Sequence, residues 1–211
     1  MCSIESMPRG SRTQPVESTS TDDARERILA AAERCIERHG IRKTTMDDIA
    51  SEVGLSRPSV YRYFADRDDL LIELNIRHAR ALLDRAHKAM SRQSNFPDQI
   101  IEGVLYMADQ ARRDPLTRFV IDPDGTSLGR RMITSGTSGM LRAEFLDPYL
   151  DAAVANDELP RGLPRADYYL WLGALTKMVM RGIDDGEADL KRYRSILRRF
   201  VVPSLAGSTA T

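Results

Sequence analysis

Cysteine and histidine are scarce in this sequence: Cys2 and Cys35, then His39, His78 and His87, in 211 residues. Two cysteines exclude a disulfide framework and a cysteine-rich zinc site, so a reducing compartment is expected, with Cys35 a small core residue. No two histidines stand four apart beside a carboxylate, which excludes a metalloprotease helix, and no metal or cofactor is expected. Neither sign of charge dominates. Lys and Arg number 31 and Asp and Glu also 31, a formal net charge of +0. Binding nucleic acid by overall positive charge is thereby excluded, although a local basic patch is not. The longest apolar stretch runs from Tyr168 to Thr176 and resumes at Met178 beyond Lys177. It falls short of the roughly 20 residues needed to span a bilayer. Residues 1–21, rich in Ser, Thr, Pro and Arg, hold no apolar signal core. The expectation is a soluble, cytoplasmic chain with no membrane partner.

Strand signals are missing too. Apolar residues recur at helical spacing and hardly alternate, and Asp124-Gly125 lies between Asp-Pro and Thr-Ser rather than between β-branched runs. No internal repeat is evident. Hydrophobic residues make up 42% of the chain, enough for a core, and the reading is all-α. A first helix begins near Thr21 or Asp22 and stops at Gly40, with Ile28, Ala32, Cys35, Ile36 and His39 on one face. A second starts at Thr45, where Thr45 and Asp48 make a capping box. A third covers about Ser56 to Phe64. A long fourth is capped by Asp66 and Asp69 and runs to Met90 on a stripe of Leu70, Leu74, Leu82, Leu83, Ala86 and Met90. Further helices are expected from Pro97 to Asp114, near Leu116 to Ile121 and Leu128 to Thr134, then Met140 to Asn156, Ala166 to Asp184 and Ala188 to Val202.

The segment Thr45 to Phe64 carries the chemistry. Ala50 is small where two helices must cross, Gly54 permits positive φ in a tight turn, and Val60 points back into the shared core. Offsets of four and ten from Ala50 are those of a helix-turn-helix. With Val60 and Phe64 buried, Arg57, Pro58, Ser59, Tyr61 and Arg62 are left facing outward. Arg57 or Arg62 suits guanine O6 and N7 in the major groove, and Pro58 offers a flat contact to a thymine methyl. Ser56 caps the helix, whose first-turn N–H groups suit a phosphate. Thr44, Thr45, Tyr61, Tyr63 and Arg67 read as phosphate clamps. Arg42, Lys43, Arg57, Arg62 and Arg67 can share one face while Asp47, Asp48, Glu52 and Asp66 cap or turn away.

An amphipathic first helix followed by TTMDDIASEVGLSRPSVYRYFADRDDLL closely resembles the signature of the TetR family of bacterial transcriptional regulators, matched without a gap from Thr44 through Leu70. The resemblance is strong over about residues 22–75 and architectural beyond. It implies a homodimeric, effector-responsive repressor on a palindromic operator in double-stranded DNA. The domains expected are a tail at 1–21, a DNA-binding domain at 22–66, an effector-binding and dimerisation domain at 67–203 and a second tail at 204–211.

Within the larger domain, Tyr106, Met107, Phe119, Met132, Phe145, Tyr149 and Trp171 suit an irregular apolar pocket for a neutral or lipophilic small molecule. The same residues equally build a plain core, so a constitutive regulator without an effector, or an activator, stays open. Trp171, Leu175 and Met178 on the most apolar helix, with Tyr193, Leu197 and Phe200 on the last, make a candidate dimer face. No nucleophile with a base, metal constellation or cofactor loop is present; Gly136 to Gly139 lacks the ending of a P-loop and reads as a flexible link. An enzyme is not expected.

Overall fold

The structure, a computed structural model, describes residues 17–122, 131, 136–186 and 189–206. All regular structure among them is helical: α1 (Glu17–His39), α2 (Met46–Val53), α3 (Arg57–Tyr61), α4 (Arg67–Met90), α5 (Phe96–Arg113), α6 (Pro115–Ile121), α7 (Thr137–Ala155), α8 (Arg165–Asp184) and α9 (Leu190–Ala206). Most of the expected segment 128–134, with Met132, lies outside the described residues.

Two apolar cores form. The first gathers Ile28, Leu29, Cys35 and Ile36 of α1, Met46, Ile49 and Ala50 of α2, Val60, Phe64 and Leu70, Leu71 and Leu74 of α4. It closes on a capped three-helix unit. Thr45 accepts from the Asp48 backbone N–H at 3.2 Å while the Asp48 carboxylate accepts from the Thr45 N–H and hydroxyl at 2.9 and 2.7 Å. Those donations, from the hydroxyl first, hold the Asp48 carboxyl below the ordinary aspartate value. Gly54 ends α2 at φ +74°, a conformation that its missing Cβ makes cheap.

Arginines lock the unit. Arg25 of α1 donates to the Tyr63 carbonyl at 2.7 Å, pairs with Glu73 of α4 and covers the Phe64 ring at 4.6 Å. Arg77 of α4 reaches back to Glu26 and Glu33 at 2.6 and 2.9 Å. Arg67 turns inward, its Nε donating to the Thr44 carbonyl at 2.6 Å and another guanidinium N–H to the Ile41 carbonyl. It pins the connection between α1 and α2.

The second core surrounds α5. Ile100, Ile101, Val104, Leu105 and Ala108 meet Met180 and Val179 of α8 and Tyr193, Leu197 and Val201 of α9. Helices α4, α8 and α9 each pack on α5, so α9 is chiefly a partner of α5 rather than of α8. Gly103 lets α4 come close, since a Cβ there would stand 2.8 Å from Met90 Sδ. Asp114 joins α5 to α6: its carboxylate accepts from the Leu116 and Thr117 N–H groups at 3.0 and 3.1 Å and meets His78 Nε2 of α4 at 2.5 Å.

Several boundaries depart from expectation. Helix α1 starts at Glu17, inside the expected tail, and α9 continues through Pro203 to Ala206 with Leu205 buried. Thr137 to Gly139 belong to α7, preceded by Gly136 at φ +73°, so they are no flexible link. His39 lies exposed beyond the apolar face of α1. No helix of the described residues is long and apolar enough to cross a membrane.

Two outcomes are expected. Arg67→Ala deletes two charge-assisted bonds to backbone carbonyls and should cost roughly 1.5–3 kcal/mol in chemical denaturation; an unchanged midpoint would show that the α1–α2 connection holds without it. For Asp114, burial pushes its carboxyl up, but hydrogen bonds from Thr117, Leu116 and His78 outweigh that, and the net direction is down. A lowered folded-state value means a stabilisation complete above the ordinary aspartate value of about 3.9 and lost as pH falls through the folded one. Asp114→Asn should therefore destabilise near neutral pH and flatten the acid limb of stability against pH; an equally steep limb would locate the acid sensitivity elsewhere.

Candidate nucleic-acid interface and ligand cavity

The short α3 is presented by α2. Leu55 donates its N–H to the Ala50 carbonyl at 3.0 Å, closing the turn, and buried Val60 and Phe64 hold α3 against the first core. Ser56 caps it, accepting from the Ser59 N–H at 3.3 Å with the two hydroxyls 2.8 Å apart. Arg57, Pro58, Tyr61 and Arg62 are exposed and Ser59 half-buried.

Arg57 is not free-floating. It donates to Asp47 at 3.1 Å, and its guanidinium lies 5.5 Å from the centroid of the Tyr61 ring. Asp47 thus stands beside the presented face rather than turning away from it. Asp48 and Asp66 do cap helices, and Glu52 is taken up by Arg34 at 2.7 Å and by Arg38. Arg42, Lys43 and Arg62 are exposed and have no carboxylate partner among the described residues; Arg62 lies over the Tyr63 ring at 5.9 Å. A neutral chain thereby keeps local positive charge around α3.

Two expected phosphate clamps are corrected. Thr44 is 1% exposed and its hydroxyl donates to the Gly40 carbonyl at 3.0 Å, so that side chain cannot reach a backbone outside. Arg67 spends its guanidinium on Thr44 and Ile41, as above. Tyr63 is half-buried against the first core, whereas Thr45, at the start of α2, and Tyr61 remain accessible.

A cavity of about 160 Å³ opens between α4, α5, α7 and α8. Of the expected pocket residues, Met107 and Phe145 line it, together with Leu83, Ile100, Val104 and Leu172. Phe119 packs against the first core because α6, lying on α4, sends Leu116 and Phe119 towards it. Tyr149 is buried and meets His87 Nδ1 at 2.6 Å, Tyr106 is half-buried outside the cavity, and Trp171 lines a separate groove with Leu163, Tyr168 and Leu205. Asn75 of α4 also lines the cavity and was not expected there. The signal was present: Leu71, Asn75 and Ala79 stand four apart along the buried row of α4. Among the described residues no cluster of three or more His, Cys, Asp or Glu side chains could hold a metal.

The expected dimer residues divide. Tyr193 and Leu197 are buried at 6% and 2% in the chain's own core, which removes them from an outer face. Trp171 and Leu175 are half-buried, while Leu170, Met178 and Phe200 stay exposed at 73%, 47% and 66%.

Comparison with known proteins agrees with this arrangement. Residues 28–74 match the model for bacterial regulatory proteins of the tetR family. An uncharacterised HTH-type transcriptional regulator of Mycobacterium bovis is 28% identical over 147 residues, 69% of this chain and 74% of that protein. The fold resembles that of the transcriptional regulator FadR from Bacillus subtilis in complex with stearoyl-CoA, with TM-score 0.61, 17% identity and 88% and 99% of the two chains covered. It also resembles RolR in complex with resorcinol, with TM-score 0.65, 10% identity and 92% and 98% covered. The helix-turn-helix on α2 and α3, with its capping box and outward-facing Arg57, falls within the residues that match that family model, and over this segment the chain resembles the TetR family of DNA-binding transcriptional regulators.

Proposed function

We propose that the chain is a homodimeric repressor that reads a palindromic operator and is released by a small, mainly apolar ligand. The observation that carries this is helix α4: its first turns belong to the core under the reading helix, and its later turns wall the cavity. A ligand that shifts α4 therefore moves the reading head. Helix-turn-helix dimers read half-sites about 34–36 Å apart, so a displacement of a few ångströms in each head breaks simultaneous contact. The cavity also favours a ligand-controlled regulator over a constitutive one, and the ligands named in the FadR and RolR structures are in keeping with that.

At the DNA, Arg57, Pro58, Ser59, Tyr61 and Arg62 are assigned to base edges and nearby phosphates, with Thr45, Ser56 and Tyr63 positioning the backbone. Asp47 does not compete strongly. The Asp47–Arg57 pair is exposed on both sides, where solvent screening leaves an ion pair weaker than the roughly 1–3 kcal/mol of a bidentate guanine contact. Asp47 orients the arginine until the operator takes it over. For the dimer, Leu170, Ala174 and Met178 repeat every fourth residue along the outer side of α8, and Phe200 of α9 is equally bare. This face, flanked by Trp171 and Leu175, is assigned to the second copy.

Selection from random duplexes at fixed, near-physiological salt, followed by footprinting, should return an inverted repeat protected by a dimer. A single unpaired half-site bound by a monomer would sink the reading. On that operator Arg57→Ala should lose roughly 1–3 kcal/mol of specific binding while melting like the parent protein. Equal affinity of the two proteins would remove Arg57 from the base-reading set.

A further inference from the structure

Helix α4 carries one polar side chain that the fold leaves unanswered. Asn75 is 1% exposed, and neither its amide nitrogen nor its carbonyl oxygen has a hydrogen-bond partner among the described residues. Buried polar groups are almost always paired, because an unmade bond forfeits the full cost of leaving water. Asn75 lies on the wall of the cavity beside Ala79, Leu83 and Leu172. Other polar groups of that wall are already engaged: the Thr176 hydroxyl donates to the Leu172 carbonyl at 2.9 Å, and the Tyr169 hydroxyl donates to Asp147. Arg142 is exposed, so a charged head group drawn to it would stay near solvent. At Asn75 a carboxylate would satisfy the NH2 group and leave the carbonyl oxygen facing an anion among apolar side chains, which is unfavourable.

We propose that Asn75 is the polar recognition point of the cavity, and that the effector is an uncharged, mainly apolar molecule bearing one group that both donates and accepts hydrogen bonds, such as a carboxamide or lactam, held against α4. This rests on the reading of the cavity as an effector site and adds the chemistry that the site selects. The position has a consequence for control. Asn75 adjoins Leu74, which is buried in the core of the reading head, so the ligand's polar group bonds the turn of α4 where the two cores meet.

The test uses the full chain and three probes sharing a hexyl chain: heptanamide, heptanoate and hexyl methyl ketone. Titration calorimetry and thermal shift should show heptanamide binding about tenfold or more tightly than either analogue, because only the amide answers both ends of Asn75. Asn75→Leu, close in volume, should erase that preference and raise the melting temperature of the ligand-free protein by removing an unpaired buried group. Asn75→Ala should erase the preference without depending on the fit of leucine. Equal binding of heptanamide and the ketone, tightest binding of heptanoate, or a preference that survives both substitutions would overturn the role of Asn75 and keep the cavity as a ligand site. Failure of all three probes to bind the parent protein would overturn the effector reading and this inference together.

Discussion

The proposed coupling of a ligand cavity to a DNA-reading head depends on α4 being buried twice. Leu70, Leu71 and Leu74 close the core beneath the reading helix, and Met90 at the other end joins the core around α5. At 1.5 Å per residue its 24 residues form a rod of about 36 Å. Packed interiors do not yield gradually, so a rod anchored in two cores transmits a push at one end as a rotation at the other. The polar contacts are distributed to the same effect. Glu73 and Arg77 tie α4 to α1, and His78 ties it to the α5–α6 joint through Asp114.

Helix α6 makes the coupling less simple than a single lever. It leaves α5 at Asp114, yet sends Leu116 into the core of the reading head and Phe119 against it. The first core therefore rests on two elements that also belong to the second. In the proposed ligand-controlled reading, a force on the cavity wall would reach α3 both along α4 and through the α5–α6 joint, and Asp114, bonded to Leu116, Thr117 and His78, is where the two routes touch.

Legibility from sequence followed the range of the interactions involved. Caps were readable because a cap is a contact across three residues: Thr45 with Asp48, Ser56 with Ser59, Asp66 with Asp69. The helix-turn-helix was readable because Ala50, Gly54 and Val60 must satisfy one tight turn. The functional meaning of Arg67 was not, since its position before α4 looks the same whether the side chain faces a phosphate or the carbonyls of Ile41 and Thr44. Arg25 gave no signal either, because its partners stand 38 and 48 residues away. Helix ends failed where solvent-facing turns carry no pattern, at Glu17 and at Ala206.

The pocket shows the same division. Met and aromatic residues in the larger domain marked material for a cavity, but Phe119 went to one core, Tyr149 to His87, and Trp171 to a different groove. By itself the sequence determined helix content and the helix-turn-helix motif, because these follow from local periodicity and from contacts within a few residues. Only the tertiary structure decided which arginines face inward, which apolar residues remain bare and that Asn75 lines a cavity without a partner among the described residues. Those outcomes depend on which distant side chain arrives to take up each charge, surface or hydrogen bond, and chain spacing does not encode that.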